Sequence, residues 1–445
     1  MFNRIYRFIK WTILLSFCLL LTLAQGGWSQ PSLSNGCEPY ESYFLFHGAY
    51  PDQEGTPYAD EFQGLTHDQD NWFLSSNTHE GELKVPQLWK VPVQYDLRHV
   101  TDNQNQYPGV IRRRISETPL AQLGYNHFGD ISYYRYGGQG YIIVPVEKER
   151  PYTVPNVFAF FRANDLAYVN MTSVPDFGAC QDPEGRSLGW VAVDSDGNLY
   201  SSGDCTQSIY KFSLNWGDLP NKPVNLTLLA SINLLDEDGA PLLLGRTQGG
   251  VFSESGRLFY IVSGSESSVF QYRNDGISVF DTQTWRRVAQ STNGFGHFNY
   301  RYSAGFPAFD EPEGLTIWDL DDGRAPGFGG QLHVGMLDNE LGADDVYLYH
   351  YINTIYVDYS YAGEETGEPH KPFNTVGEAN DLAWNGARIK IKPVSIGPYW
   401  EALTFSKRIQ LLAGEGGATI GMLGRVRLTT KGAINICSGG SLKIY

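Results

Sequence analysis

The chain has 445 residues and a formal net charge of −16, from 49 acidic and 33 basic side chains. This balance argues against a nucleic-acid partner, because such proteins neutralise phosphates with an excess of Lys and Arg. Charged residues make up 18% of the chain and aromatic residues 14%, with 49 glycines and 28 tyrosines. The composition excludes a disordered chain or a coiled coil and favours a turn-rich, all-β globular protein.

Residues 1–27 have the pattern of a secretion signal. Three basic residues precede an apolar run at 11–24, and Gly26 and Gly27 follow it. The run is shorter than the roughly 20 residues that a membrane-spanning helix needs, and no later segment reaches that length. We therefore expect a cleaved signal peptide, an extracellular or cell-surface location and no membrane span after cleavage. Retention of the segment as an anchor is the alternative.

Four cysteines follow the signal, and their spacing matches no zinc site. Cys180 and Cys205 flank a stretch that is typical of strand, turn and strand, so a disulfide between them is the candidate for an oxidising compartment. For Cys37 and Cys437, a bridge and free thiols both remain open.

A motif built around glycine recurs along the chain. The clearest pair is DEFQGLT at residues 60–66 and DEPEGLT at 310–316, with weaker relatives between them. The anchor glycines of this repeat, spaced by about 60 to 65 residues, are Gly64, Gly129, Gly189, Gly250 and Gly314. A constant period of this length indicates repeated supersecondary units.

Each anchor is followed by short alternating strands separated by polar turns, which is the hairpin pattern. Three or four such strands per repeat predict the blades of a β-propeller over residues 38–352. Five anchors predict five blades, although a sixth could be hidden in 85–125 or 210–245. A stacked array of β-sandwiches is the alternative. Pairing of residues 40–48 with 344–351 would close the ring and remove its exposed edges.

The pattern changes over residues 356–445. The segment PFNTVGEANDLAW places Val376, Ala379, Leu382 and Ala383 at helical spacing, and the short runs ARIKI, ALTFSKRIQLLA and ATIG follow it. This order resembles the opening coils of secreted, pectate-lyase-like, right-handed parallel β-helix proteins. The resemblance implies a short parallel β-helix covered by one helix and an association with polysaccharides. It implies no active site.

Carboxylates precede several anchor glycines. These are Glu61, Asp130, Glu311 and Glu313. Because the innermost strands of a propeller line its channel, these groups could converge there and hold a hard cation such as Ca²⁺. Glutamates before such glycines are also similar to those of gluconolactonase-like and esterase-like propellers, a resemblance that implies a calcium ion in the channel. The alternative is that the carboxylates accept hydrogen bonds from backbone amides and fix the blades.

The histidines form no HExxH pair, and neither a GxSxG motif nor a phosphate-binding loop is present. His67, His127, His297 and His333 lie near anchors or inner strands, where one could serve as a general base. A structural role is the alternative for each.

Two aromatic stretches interleave tyrosines with arginines. The candidate ligand-binding residues are Tyr133, Tyr134, Arg135 and Tyr136 in the first stretch, and Tyr300 and Arg301 in the second. Aromatic rings stack on sugars, and polar neighbours bind hydroxyl groups. Packing of the same rings between blades is the alternative.

Together these features predict a secreted or surface-attached protein that binds or scaffolds an extracellular polysaccharide, with Ca²⁺ as an optional structural ion in the propeller channel. The alternative is a metal-dependent hydrolase of a lactone, ester or phosphoester, with its site at the channel mouth. A platform for protein partners would use the same surface.

Overall fold

The computed structural model describes residues 45–49 and 57–444, except 82, 149–153, 178–187, 204, 265–274, 292–309, 327–328, 339–344, 353, 366, 368, 370, 384–386, 393–400, 406–408, 414–417, 421–426, 431–433 and 438–441. Residues Pro39–Tyr445 form one compact unit. Within the described ranges, no helix is both long enough and apolar enough to cross a bilayer. The predicted signal at 1–27 lies outside the described residues.

Five antiparallel sheets form the blades of a propeller, and the first strand that the structure describes, β1 (Leu45–Ala49), belongs to the last blade. Blade 1 contains β2 (Phe62–His67), β3 (Asn71–Ser76), β6 (Gln87–Pro92) and β7 (Ile111–Arg114), with a small hairpin of β4 (His79–Glu80) and β5 (Leu83–Lys84). Blade 2 contains β8 (His127–Phe128), β9 (Ser132–Tyr136), β10 (Gln139–Glu147), β11 (Val157–Arg162) and β12 (Tyr168–Ser173).

Blades 3 to 5 repeat this order outward from the axis. Blade 3 contains β13 (Ala192–Val193), β14 (Leu199–Ser201), β15 (Ser208–Ser213) and β16 (Thr227–Asn233). Blade 4 contains β17 (Thr247–Phe252), β18 (Leu258–Ser263), β19 (Gly276–Asp281) and β20 (Arg286–Gln290). Blade 5 contains β21 (Glu311–Ile317), β22 (Leu332–Asp338), β23 (Asp345–Ile352) and β1. A short helix at Leu97–His99 lies between β6 and β7 within blade 1, and short helices at Ile115–Glu117 and α1 (Pro119–Gln122) connect blade 1 to blade 2.

The predicted closure of the ring is confirmed. Strand β1 pairs antiparallel with β23, so that Leu45 lies opposite Ile352 and Ala49 opposite Tyr349. The stretches in which a sixth blade could have been hidden supply outer strands of blades 1 and 3 instead. The propeller therefore has five blades.

Each of five hydrophobic clusters lies between two neighbouring blades, and the fifth joins blade 5 to blade 1. The alternation of β10 shows how one strand serves two clusters. Ile142 and Val144 pack toward blade 1, whereas Tyr141 and Ile143 pack toward blade 3. Because successive side chains of a strand point to opposite faces, a blade buried on both faces needs apolar residues at every position.

The chain after the propeller forms parallel strands. They are β24 (Thr354–Val357), β25 (Arg388–Ile391), β26 (Ala402–Phe405), β27 (Ile409–Ala413), β28 (Ala418–Ile420), β29 (Arg427–Thr430), β30 (Ile434–Cys437) and β31 (Leu442–Ile444). One stack has the order β24, β25, β27, β30, and two further pairs join β26 to β29 and β28 to β31.

A helix lies where the helical spacing predicts one, as α2 (Val376–Leu382). Thr375 is its N-cap, since its side chain accepts the amide of Glu378, and Glu401 accepts the amide of Val376 at 2.9 Å. Val376 and Ala379 are buried in a cluster with the inward side chains of β24, β25 and β27. The helix therefore covers one side of the parallel strands.

The glycine repeat yields a test of the ring. A Cβ on Gly314 would lie 2.0 Å from Oδ1 of Asp130, whereas a Cβ on Gly329 would meet its nearest atoms at about 3.5 Å. Gly314→Ala should therefore lower the free energy of unfolding by about 3 kcal/mol, because the buried carboxylate cannot move away. Gly329→Ala should change it by less than about 1 kcal/mol. Urea denaturation of both variants measures the difference, and equal stabilities would contradict the close packing at the axis.

Candidate functional site

Asp130 lies on the propeller axis and is completely buried. Its Oδ1 accepts the backbone amides of Leu65 at 3.2 Å and Ile131 at 2.9 Å. A Cβ on Gly64 or Gly314 would lie within 2.3 Å of the same oxygen. The inner strands of three blades therefore approach one carboxylate so closely that only glycine fits beside it.

Two details of the anchors differ from the repeat. In blade 4 the residue that faces Asp130 is Gly249, not the predicted anchor Gly250, whose Cβ would point at Phe259 and Trp190. In blades 2 and 3 the anchors contact each other, since a Cβ on Gly129 would lie 2.2 Å from the carbonyl oxygen of Gly189. The glycines therefore close the axis at this level.

Burial raises the pKa of Asp130 well above the usual carboxyl range, while the amides of Leu65, Ile131, Gly250 and Leu315 act in the opposite direction. These amides come from blades 1, 2, 4 and 5. The Leu65 and Ile131 amides are hydrogen-bonded to Oδ1, whereas Oδ2 has no hydrogen-bond partner among the described residues. Asp130 is therefore hydrogen-bonded to blade 1 and lies beside backbone amides of blades 4 and 5.

A polar cluster lies at the end of the axis where the residues preceding the anchors meet. We call this cluster the axial mouth and define it by Glu61, Arg246, Gln248, Glu311 and Glu313. The guanidinium of Arg246 lies 3.0 Å from Oε1 of Glu311. The Gln248 amide nitrogen donates to the same oxygen at 2.8 Å and lies 3.4 Å from Oε1 of Glu313. One amide of blade 4 thus bridges two carboxyl groups of blade 5.

The two carboxyl groups of blade 5 have different environments. Glu313 is 2% exposed, and burial and the charge of Glu311 raise its pKa well above the usual range, with Arg246 opposing them. Glu311 has the Arg246 guanidinium as its direct partner. A carboxyl group whose burial favours its protonated form therefore lies beside one that is paired with a guanidinium, which is an arrangement that acid–base chemistry uses.

Glu61 enters the axial mouth from blade 1. Its backbone has a φ of 49°, in the left-handed region that a glutamate rarely adopts. Its Oε2 lies 3.0 Å from Nζ of Lys84, and its charge contributes to the raised pKa of Glu313.

His127 and Glu147 add a pair from blade 2. Nδ1 of His127 lies 3.1 Å from Oε1 of Glu147, whose Oε2 accepts the amide of Leu188 at 3.0 Å. Burial acts to raise the pKa of Glu147, but His127, the Leu188 amide and the charge of Arg246 outweigh it and lower the pKa. The sequence named His127 but not Glu147, because Glu147 ends an apolar run and no motif marks it.

Arg246 is held in place from blade 3. Its backbone bridges that of Cys205, which is disulfide-bonded. The predicted partner Cys180 lies outside the described residues. Beside this bridge, the buried hydroxyls of Thr206 and Thr247 lie 2.7 Å apart, and Ser202 lies 2.5 Å from Thr206. This network fixes the start of β17, which contains Gln248 and directly follows Arg246.

The four predicted metal ligands do not present themselves as one open site. Asp130 accepts backbone amides, Glu311 pairs with Arg246 and Glu61 pairs with Lys84. Among the residues that the structure describes, no three His, Cys, Asp or Glu side chains are grouped so that they could hold a metal ion.

Two other candidate bases lie at the opposite end of the inner strands. His67 stacks on Trp318 with ring centres 4.4 Å apart, and burial lowers its pKa. His333 is completely buried, and burial lowers its pKa to about 3. Both rings pack in the joint between blades 1 and 5. His297 lies outside the described residues.

The aromatic candidates of β9 lie on the other side of Asp130, at the end of the axis opposite the axial mouth. Tyr133 stacks on Phe73 of blade 1, with ring centres 6.2 Å apart. Tyr134 and Tyr136 face the other way, toward Trp216 of blade 3. Arg135 is exposed, and Tyr300 and Arg301 lie outside the described residues. The two predicted kinds of site, carboxylate and aromatic, are therefore separated by Asp130.

No protein-family model matches the sequence, and no curated protein matches it. Among solved structures, the chain is similar to a protein from Bifidobacterium bifidum s17 described as a candidate exo-β-1,3-galactanase, at 11% identity and a TM-score of 0.37, covering 73% of this chain and 99% of that one. It is also similar to Bacillus subtilis arabinanase Arb43A, at 14% identity and a TM-score of 0.36, covering 68% and 97%. A GH43_1 enzyme from Xanthomonas citri, complexed with xylose, matches at 11% identity and a TM-score of 0.36, covering 69% and 86%. These are likenesses of fold at low identity and assign no activity to this chain.

The raised pKa of Glu313 predicts a pH-dependent stability. Between the ordinary value of 4.5 and the raised folded value, the folded protein keeps a proton that the unfolded chain has released. The free energy of unfolding should therefore fall as pH rises through this window. Glu313→Gln removes the titrating group, so the variant should gain stability relative to wild type as pH increases.

Urea denaturation at about pH 5, 7 and 9 measures this gain. The control is Glu254→Gln, which changes an exposed glutamate in a turn of blade 4. Parallel pH profiles for wild type and Glu313→Gln would show that burial of Glu313 does not perturb its ionisation.

Proposed function

We propose that this protein binds a carbohydrate at the axial mouth. The observation that carries the proposal is the pairing of Glu311 with Glu313 through Gln248, beside Arg246. The cluster contains carboxyl acceptors, an amide and guanidinium donors within one small area. Arg246 is its exposed member, and a sugar would exchange hydrogen bonds with the buried Gln248, Glu311 and Glu313. Such mixed donors and acceptors match the hydroxyl groups of a sugar, which donate and accept at each position.

The charge of the mouth indicates which sugars fit. Even with Glu313 protonated, Glu61, Glu147 and Glu311 outnumber the basic residues Arg246 and Lys84, and the whole chain has a net charge of −16. The negative charge of an acidic sugar would be repelled by this excess of carboxylates. We therefore infer a neutral glycan as the ligand.

Hydrolysis is the second candidate function, and Glu313 is the residue that favours it. A carboxyl group kept protonated beside an ionised partner can donate a proton to a leaving oxygen, while the partner activates water or stabilises positive charge. In this scheme Glu313 is the general acid, and Glu311 or the His127–Glu147 pair supplies the base. The metal-dependent hydrolase that the sequence also suggested uses the same carboxylates as ligands.

Binding and turnover can be separated with two variants. Gln248→Ala removes the bridge between the carboxyl groups and should weaken binding of neutral hexasaccharides by about tenfold. Gln283→Ala, at an exposed turn of blade 4, is its matched control. Isothermal titration with cello-, xylo-, arabino- and laminarihexaose measures both.

If the site is hydrolytic, wild type should release shorter sugars, and Glu313→Gln should lose turnover by at least about 100-fold while retaining most of its affinity. Binding without turnover would leave the binding function alone. No binding to any of the four sugars, or equal losses in Gln248→Ala and Gln283→Ala, would reject the axial mouth as a carbohydrate site.

A calcium ion at the axial mouth is a further proposal from the sequence, and it requires Arg246 and Lys84 to give up Glu311 and Glu61. If Ca²⁺ binds the folded protein there, a concentration of 100 times its Kd should raise the melting temperature by about 3 °C. Glu313→Gln should abolish this rise, whereas Glu254→Gln should keep it. If Ca²⁺ did not change the melting temperature, the ion would have no part in either candidate function.

We also propose that the protein acts outside the cell and that residues 356–445 form a short parallel β-helix. The signal-like pattern of 1–27 supports export, and sequencing the N-terminus of exported protein would test cleavage near residue 27. The succession of β25 to β31 among three parallel stacks supports the β-helix. An experimental structure of the segment in which the stacks do not wind around one core would reject it.

A further inference from the structure

The end of the axis opposite the axial mouth carries an exposed aromatic side chain. Tyr136 is 44% exposed, at the tip of the hairpin between β9 and β10. Among the residues that the structure describes, the other exposed large hydrophobic side chains are five leucines and one valine. Tyr136 is therefore the aromatic exception in that group.

The ring of Tyr136 packs on a buried tryptophan. It stacks on Trp216 with ring centres 6.5 Å apart and planes inclined by 27°. Trp216 is 5% exposed, and its ring centre lies 4.6 Å from that of Tyr134. Its Nε1 donates to the carbonyl oxygen of Gly197 at 2.9 Å. We call Tyr134, Tyr136 and Trp216 the aromatic shelf. Because its base is fixed in the core, Tyr136 presents its ring with little freedom to lose on binding.

Polar groups and open space lie beside the aromatic shelf. A Cβ on Gly217 would lie 3.5 Å from both Oδ1 of Asn215 and Oη of Tyr136, so the missing side chain leaves a gap between an amide and a phenol. Asn215 is exposed. Around Gly137 and Gly138 at the hairpin tip, added Cβ atoms would meet nothing within 4 Å. The site is open on one side and polar on the other.

We propose that the aromatic shelf is a second carbohydrate-binding site, distinct from the axial mouth. A sugar ring has an apolar face of C–H groups that stacks on an aromatic ring, and hydroxyl edges that an amide and a phenol can bind. Tyr136 would take the apolar face, and Asn215 with the Tyr136 hydroxyl would take one edge at Gly217. Arg135 lies on the other side of the strand, because successive residues of β9 alternate between its faces.

A proline-rich peptide is the other kind of ligand that exposed aromatic residues bind. Such peptides dock in grooves lined by several exposed rings. The described part of this surface presents one exposed ring above two that are largely covered. A single platform with a polar edge suits one sugar unit better than an extended peptide.

The experiment uses the full protein carrying Gln248→Ala, in which the axial mouth is weakened, and the same four hexasaccharides. Adding Tyr136→Ala should reduce the remaining affinity by about tenfold. Tyr136→Phe, which keeps the ring, should retain affinity to within about threefold. Gly217→Val, at a position with ordinary φ, should block the gap without removing the platform and should reduce affinity as Tyr136→Ala does.

Leu123→Ala is the matched control, since Leu123 is also 44% exposed and belongs to the connection between blades 1 and 2. Unchanged melting temperatures would show that each variant folds. Affinity that survives both Tyr136→Ala and Gly217→Val would overturn the proposal, as would binding of a proline-rich decapeptide, but none of the sugars, to the Gln248→Ala protein. The proposal of a carbohydrate site at the axial mouth is tested separately, and it would be rejected if Gln248→Ala alone did not change the affinity for the hexasaccharides.

Discussion

The packing of the inner strands around the buried carboxyl group of Asp130 is the constraint on which the rest of the propeller depends. Backbone amides of blades 1, 2, 4 and 5 lie close to this group, and glycines allow the inner strands to approach it. A propeller usually leaves a channel where its inner strands meet, since side chains keep those strands apart. Here the small residues and the buried acid bring the strands into contact, so the ring is packed closely at its centre as well as joined at its sides by hydrophobic clusters.

This centre divides each inner strand into two functional halves. Before the anchors, polar residues of blades 1, 4 and 5 meet at the axial mouth, where Arg246 lies against Glu311. After the anchor of blade 2, the aromatic residues of β9 pack toward neighbouring blades, as Tyr133 does on Phe73. The axial mouth and the aromatic residues of β9 therefore lie at opposite ends of the inner strands.

The ring itself could be predicted from the sequence because its constraint is local. Gly64 and Gly314 occupy positions that no other residue fits, and a period of such glycines implies equivalent strands. In blade 4 the predicted anchor was wrong by one residue, because Gly249 and Gly250 are adjacent in the sequence. Which of them faces Asp130 depends on the direction in which a side chain would point, and this is visible only in the structure. The helix Val376–Leu382 was predictable for a similar reason, since its cap and its apolar spacing are both contained in a few residues.

The composition of the axial mouth could be predicted only in part. Glu311 and Glu313 follow from the repeat, but their partners Arg246 and Gln248 come from another blade, and Glu147 comes from a third. Such pairings depend on how blades meet and leave no mark in one sequence. The division of Tyr133 from Tyr134 and Tyr136 was accessible from the two-residue period of a strand. The period could not predict the contact with Trp216, which lies in a distant loop and packs against Tyr134 and Tyr136.

Closure of the axis at Asp130 also limits how a polymer can use this molecule. Under the proposed function, a chain of sugars cannot thread from one end of the propeller to the other, so it would either insert a terminus into the axial mouth or lie across it. The two ends of the axis are also separated from each other by the backbone of the anchor glycines and by the buried Asp130. Occupancy at one end should then leave affinity at the other unchanged, and a single propeller could link two strands of a polysaccharide without cooperativity.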